Sequence, residues 1–175
     1  MNKTLMNIPF SPPDISEEEI DEVVDTLKSG WITTGPKTKL FESEIAKLCG
    51  TKKVVCLNSA TAALELILRV LGIGEGDEVI VPAYTYTASA SPVCHVGAKL
   101  VLIDVDKDSF EMDYSQLESK ITPNTKAIIA VDIAGIVADY DKIYEIVEKT
   151  KSKFTPKNDI QKLYNRVLVL ADAAH

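Results

Sequence analysis

Five short runs rich in branched apolar residues, spaced by stretches long enough for helices, constrain this chain more than anything else in it. They are Lys53–Leu57, Glu78–Pro82, Lys99–Val105, Lys126–Val131 and Val167–Ala171. Runs of this length bounded by turn residues read as strands, and their lack of polar alternation predicts burial on both faces of a parallel sheet. The intervening segments carry helical spacing. Ile20, Val23, Val24 and Leu27 form one stripe, opened by Ser16 with Glu19 three residues on and closed by Gly30. Leu40, Phe41, Ile45 and Leu48 form a second, stopped at Gly50. Residues 60–71 are apolar almost all round, which predicts a helix inside the molecule. Further helices are expected after Thr85 or Thr87, from Asp113 to Ile121 and from Asp139 to Thr150, with Ile143, Ile146 and Val147 inward. Residues 151–165 are polar and read as a surface loop or irregular insertion. Strand and helix alternate throughout, so the fold class is α/β: a mostly parallel sheet with helices on both faces.

With 175 residues, 46% of them hydrophobic, the chain can build one sizeable core, and no linker or repeat divides it. A net charge of −7 without any Lys/Arg cluster argues against a nucleic-acid partner. No apolar run approaches the ~20 residues of a membrane span, and no signal peptide is visible at the N-terminus. The three cysteines (Cys49, Cys56, Cys94) lack metal-site spacing and are expected as reduced, buried thiols of a cytoplasmic protein. No metal site is expected.

Four places carry candidate chemistry. Asp172 stands where the strand at 167–171 runs out, the end at which open α/β sheets hold ligands. A buried carboxylate needs a partner. No basic residue lies within four positions except His175, so the partner is either distant protein or a bound cation such as a protonated pyridine. A structural Asp capping a helix is a fair rival. Asn58-Ser59-Ala60-Thr61 lies at a strand-to-helix junction, where free backbone N–H groups suit a phosphate. Taken alone, though, Ser59 reads better as an N-cap. Tyr84-Thr85-Tyr86-Thr87 follows the strand at 78–82, and a ring there either covers a planar ligand or packs in the core. The only tryptophan, Trp31, sits with Thr33 and Thr34 in the loop 30–36, as a substrate or subunit contact or as internal packing. Gly72, Gly74 and Gly76 precede a strand instead of following one, so they make no dinucleotide fingerprint. His95 reads as a helix residue near the core.

Together these segments resemble the sugar aminotransferases of the DegT/DnrJ/EryC1/StrS family. The matching pieces are Ser29–Pro36, Phe41-Glu42, Asn58–Leu64, Gly76–Pro82, Thr85-Tyr86, Gly97-Ala98, Thr125–Ile128, Val131–Gly135 and Asp172–His175, in the family's order. The resemblance implies the aspartate-aminotransferase fold (fold type I of pyridoxal-phosphate enzymes), a three-layer α/β/α large domain. It implies pyridoxal 5'-phosphate as cofactor and transfer of an amino group from an amino acid, typically glutamate, to a keto-sugar nucleotide, in a homodimer or other homo-oligomer. Ser59, Ala60 and Thr61 match the family's phosphate cradle and Tyr86 its ring-stacking aromatic. Asp172 matches the carboxylate on the pyridine nitrogen, and His175 the contact to the phenolic oxygen. Trp31 and Thr33 fall in a segment on the sugar-nucleotide side. In the family the Schiff-base Lys follows the Asp, and every Lys here precedes it. Residues 1–175 are therefore expected to form a truncated cofactor-binding large domain without the small C-terminal domain, inactive by itself and with no catalytic residue of its own. Three alternatives stay open: a non-catalytic, self-associating module, a parent sugar dehydratase of the same family, and another enzyme of this fold such as a cysteine desulfurase-like protein.

Overall fold

The computed structural model describes Pro9 and residues 12–174. The described residues form two compact units, within Met1–Cys56 and within Leu57–His175.

The first unit holds two helices, α1 (Glu17–Ser29) and α2 (Pro36–Leu48). The predicted capping box opens α1: the Glu18 N–H donates to Ser16 Oγ at 3.2 Å, and the Ser16 N–H donates to Glu19 Oε2 at 2.6 Å. Gly30 ends it in the left-handed region at φ 72°, a conformation that costs other residues a steric penalty. Pro36 starts α2 where a missing N–H is harmless. Lys37 ties the two helices through ion pairs to Glu22 and Asp25. The stripe on α1 forms as spaced, but Ile20, Val23, Val24 and Leu27 remain exposed, as do Leu40, Phe41 and Leu48. The strand expected at 53–57 does not form. A strand needs a partner ladder, and the Cys56 N–H is taken instead by Glu42 Oε1 at 2.9 Å.

The second unit alternates as predicted: α3 (Ala60–Val70), β1 (Glu78–Pro82), α4 (Thr87–His95), β2 (Lys99–Ile103), α5 (Tyr114–Lys120), β3 (Thr125–Val131), α6 (Tyr140–Lys149), α7 (Asp159–Tyr164) and β4 (Leu168–Asp172). Four strands pair in parallel in the order β2-β1-β3-β4. Period-two alternation splits their side chains between two cores. Val79, Val81, Ala127 and Ile129 pack with Leu64 and Leu68 of α3 and Val93 of α4. Ile80, Ile128 and Ala130 pack on the opposite face with Leu117 of α5 and Ile143 and Val147 of α6. This is the three-layer arrangement expected.

Several expectations are corrected by the structure. α3 buries only Leu64 and Leu68, leaving Leu66, Ile67 and Val70 exposed, because the sheet covers one side of it. β4 is half-buried, as is β2, since these two are the outer strands and each pairs on one edge only among the described residues. Residues 151–165 are ordered by their polar groups: one 3-10 turn (Lys151–Lys153), a buried Phe154, then α7. Asn158 caps α7, and its Nδ2 and Gln161 Nε2 both donate to Leu71 O at 3.0 Å. The cysteines are free, but Cys49 and Cys94 are exposed and Cys56 is partly buried, since the first two sit at helix ends. His95, ending α4, is also exposed, and its Nδ1 lies 2.8 Å from Glu65 Oε2. Among the described residues, no helix is long and apolar enough to cross a membrane.

Candidate active site

Because all four strands are parallel, their carboxyl ends point to one edge of the sheet, and the loops leaving that edge enclose a cleft. β1 ends at Pro82 and leads through Thr85 and Tyr86 into α4; β3 ends at Val131; β4 ends at Asp172, which pairs in register with Val131. The cleft holds about 250 Å³ and is lined by Ala60 and Thr61 at the start of α3, by Tyr86 and Ser89, and by Asp172 and Ala134.

Each wall offers different chemistry. At the start of α3 the Ala62 N–H donates to Ser59 Oγ at 3.1 Å, and the Ala63 N–H to Ser59 O at 3.1 Å. That leaves the Ala60 and Thr61 N–H groups without an acceptor among the described residues. Orphan amides at the positive end of a helix dipole favour an anion. Asp172 is 8% exposed. Its Oδ2 accepts from Ser89 Oγ at 2.7 Å, and among the described residues its Oδ1 receives only the Ala174 N–H at 3.3 Å. An ionised carboxylate has about four lone-pair sites, so capacity remains for a cationic donor. Its backbone is fixed too, since the Asp132 N–H donates to Asp172 O at 3.0 Å. Tyr86, the N-cap of α4, is 73% exposed and is an aromatic ring at the cleft wall. The rest of the lining includes Ala88, Val131 and Ile133. Such a cleft suits a flat ligand that carries both an anion and a protonated nitrogen, which are the features of pyridoxal phosphate. The donor set therefore fits that cofactor. No lysine is among the lining residues.

Of the sequence candidates, Ala60, Thr61, Tyr86 and Asp172 come together. Ser59 adjoins them as the N-cap of α3 and does not line the cleft. Asp172 caps no helix among the described residues. Core packing does not account for the tyrosines, because Tyr84 is half-exposed and stacks on Phe110 with ring centroids 4.8 Å apart. Trp31 and Thr33 belong to the first unit, where they line a hollow of about 380 Å³ with Asp25, Ser29, Gly35 and Lys37. The predicted His175 contact lies outside the described residues. Ser89 was not legible as a site residue. Its only sequence signal is a place one helical turn beyond Tyr86, on the same side of α4.

Perturbed titratable groups gather elsewhere. At the starting ends of the strands, Lys99 and then Thr122 hold Glu78 below the usual carboxylate range, and burial pushes Lys126 below the usual lysine range. Tyr140 is pushed far up by burial and by the bond it donates to Asp132 Oδ1 at 3.0 Å. A larger hollow of about 580 Å³ beside α5 and α6 is acidic. Several of its acids are already engaged: Glu118 pairs with Lys149 at 2.6 Å, and Asp113 accepts from Ser115 and Gln116.

Comparison with known proteins matches residues 13–155 to the model of the DegT/DnrJ/EryC1/StrS aminotransferase family. The UDP-4-amino-4-deoxy-L-arabinose–oxoglutarate aminotransferase of Shewanella sediminis (strain HAW-EB3) is 42% identical over 168 residues, which cover 96% of this chain and 39% of that protein. The spore coat polysaccharide biosynthesis protein SpsC of Bacillus subtilis (strain 168) is 40% identical over the same shares. Among solved structures, Spr1654 of Streptococcus pneumoniae, described as a sugar aminotransferase and known in PLP, PMP and apo forms, superposes with a TM-score of 0.95. It is 61% identical, and the match covers 97% of this chain and 43% of that one. The chain thus spans about 40% of the length of the relatives it matches.

Proposed function

This chain belongs to the DegT/DnrJ/EryC1/StrS aminotransferase family, and from that premise we propose that it forms part of the cofactor-binding large domain of a pyridoxal-phosphate sugar aminotransferase. The reaction proposed moves an amino group from an amino acid, glutamate by preference, to a keto-sugar nucleotide. The name of the Shewanella relative supports that pairing, since oxoglutarate is what glutamate becomes on losing its amino group.

One observation carries the reading: free helix-start amides and a buried carboxylate with spare acceptor capacity line the same cleft. In this assignment the Ala60 and Thr61 N–H groups bind the cofactor's phosphate, with Ser59 shaping the turn. The Tyr86 ring covers the pyridine face. Asp172 orients the ring and holds a proton on its nitrogen. His175 contacts the phenolic oxygen, and Trp31 and Thr33 serve the sugar-nucleotide side. Pyridoxal phosphate, when bound, supplies the sink for the electrons released as the substrate's α-proton leaves, a task that a protonated ring performs best. The amine that would anchor the cofactor covalently is assigned to sequence beyond these residues, so this chain alone is expected to bind weakly and turn nothing over. A homodimer is part of the same proposal.

The test is a 31P NMR titration of pyridoxal 5'-phosphate with the chain and with Asp172→Asn. We expect weak, saturable binding by the natural chain that drops about tenfold in the variant, the order of a lost charged hydrogen bond. Equal binding by both would sink the assignment. Borohydride fixing the cofactor onto this polypeptide would contradict the placing of the amine.

A further inference from the structure

Ser89 lies in the cleft and is 2% exposed. A buried hydroxyl has one proton to donate and must find an acceptor for it. Here Ser89 Oγ donates to Asp172 Oδ2 at 2.7 Å, and Thr85 Oγ1 lies 2.8 Å from the same Ser89 Oγ. An ionised carboxylate cannot donate, so the Ser89 proton goes to Asp172, and the bond between the hydroxyls must run from Thr85 to Ser89. Thr85, Ser89 and Asp172 therefore form a one-way relay, in which each bond polarises the next.

We infer that Ser89, backed by Thr85, is the positioning residue for Asp172: it occupies Oδ2 and thereby reserves Oδ1 for a cationic ring nitrogen. The geometry supports this in two ways. Among the described residues Oδ1 receives a single N–H at 3.3 Å, a longer contact than the 2.7 Å bond on Oδ2, so the two oxygens are unequally committed. Ser89 sits one helical turn beyond Tyr86 on α4, so a single rigid element carries both the aromatic ring and the group that holds the carboxylate. Only an ionised carboxylate, which has acceptors and no proton to donate, can receive the N–H of a protonated pyridine ring. The inference rests on the cofactor reading above and adds a role for Ser89 and Thr85.

The test uses pyridoxal 5'-phosphate labelled with 15N in the ring, with the natural chain, Ser89→Ala, Ser89→Thr and Asp172→Asn. The ring-nitrogen shift reports its protonation, and a titration reports affinity. Ser89→Ala is expected to bind about tenfold more weakly and to move the bound 15N signal toward the neutral ring, whereas Ser89→Thr keeps both. An analogue lacking the ring nitrogen is expected to bind the natural chain and Ser89→Ala alike, which general damage to the fold would not allow. A natural-chain signal in Ser89→Ala overturns the inference while leaving the cofactor reading intact. If the natural chain and Asp172→Asn give the same signal, or neither binds, the cofactor reading fails and takes the inference with it. Should Ser89→Ala not fold, Thr85→Val decides between the outcomes: it is expected to shift the signal in the same direction by less, and no shift overturns the relay.

Discussion

Trp31 and Gly35 show how closely one residue can dictate another. The Trp31 Nε1–H donates to Thr34 O at 3.1 Å, and a Cβ built at Gly35 would stand 1.9 Å from that nitrogen. Gly35 has an extended backbone, so the requirement is for space and not for an unusual φ. Gly35→Ala is expected to displace the exposed indole and break its bond to Thr34 O, at a cost of ~0.5–1.5 kcal/mol. With a single tryptophan in the chain, a red-shifted emission reports the displacement directly, and an unchanged spectrum would refute it. Lys126 is the other telling residue. It is 1% exposed, its Nζ donates to Pro123 O and Thr155 O at 2.7 Å each, and it lies over the Phe154 ring. Burial pushes it below its usual 10.5. Between that lowered value and 10.5 the unfolded chain holds a proton that the folded chain has released, so stability should rise with pH across the window. Below the window the burial penalty applies in full. Urea unfolding at stepped pH is expected to show this rise in the natural chain and not in Lys126→Met. Lys126→Ala, which opens a cavity and orphans two carbonyls, is expected to lose ~3 kcal/mol.

Among the elements, α7 is the one whose formation depends on polar side chains finding protein partners. Gln161 is buried; its Nε2 donates to Leu71 O at 3.0 Å, and its Oε1 accepts the Lys157 N–H at 2.9 Å. These bonds hold residues 157–161 against the end of α3, the helix whose start lines the cleft. Gln161→Ala is expected to destabilise by ~1 kcal/mol, because the Lys157 N–H loses its acceptor while Leu71 O keeps only the Asn158 Nδ2 bond. Gln161→Leu should cost as much despite its better apolar fit. Equal urea midpoints for Gln161→Leu and the natural chain would show that these hydrogen bonds carry no weight.

Taken whole, the chain leaves much apolar surface uncovered. Ile20, Val23, Leu27, Leu40, Phe41 and Leu48 are exposed in the first unit, as are Leu66, Val70 and Leu163 in the second. β4 also offers an edge that is unpaired among the described residues. Exposed apolar patches and open strand edges favour association. Light scattering is expected to show a mass that grows with protein concentration, and a constant monomer mass would count against this. Association would be compatible both with a fragment of a larger enzyme and with a non-catalytic module. Cofactor binding separates the two.

Sequence by itself determined the elements whose signals are local: the capping box at Ser16, the Gly30 stop, the Ser59 and Asp113 caps, and four strands, expected at 78–82, 99–105, 126–131 and 167–171 and found at 78–82, 99–103, 125–131 and 168–172. It also pointed to the segments 58–61 and 84–87 and to Asp172, because a parallel sheet must bring its strand ends to one edge; the family resemblance narrowed these to Ala60, Thr61 and Tyr86. Caps, turns and period-two runs act over a few residues and are written in adjacent letters. Only the tertiary structure decided that 53–57 would find no strand partner, that α3 would bury one side, that polar residues 157–161 would turn inward, and that Ser89 would meet Asp172. Each of these depends on which distant group is available as a hydrogen-bond or packing partner, and residues 83 positions apart leave no trace of their meeting in either local sequence.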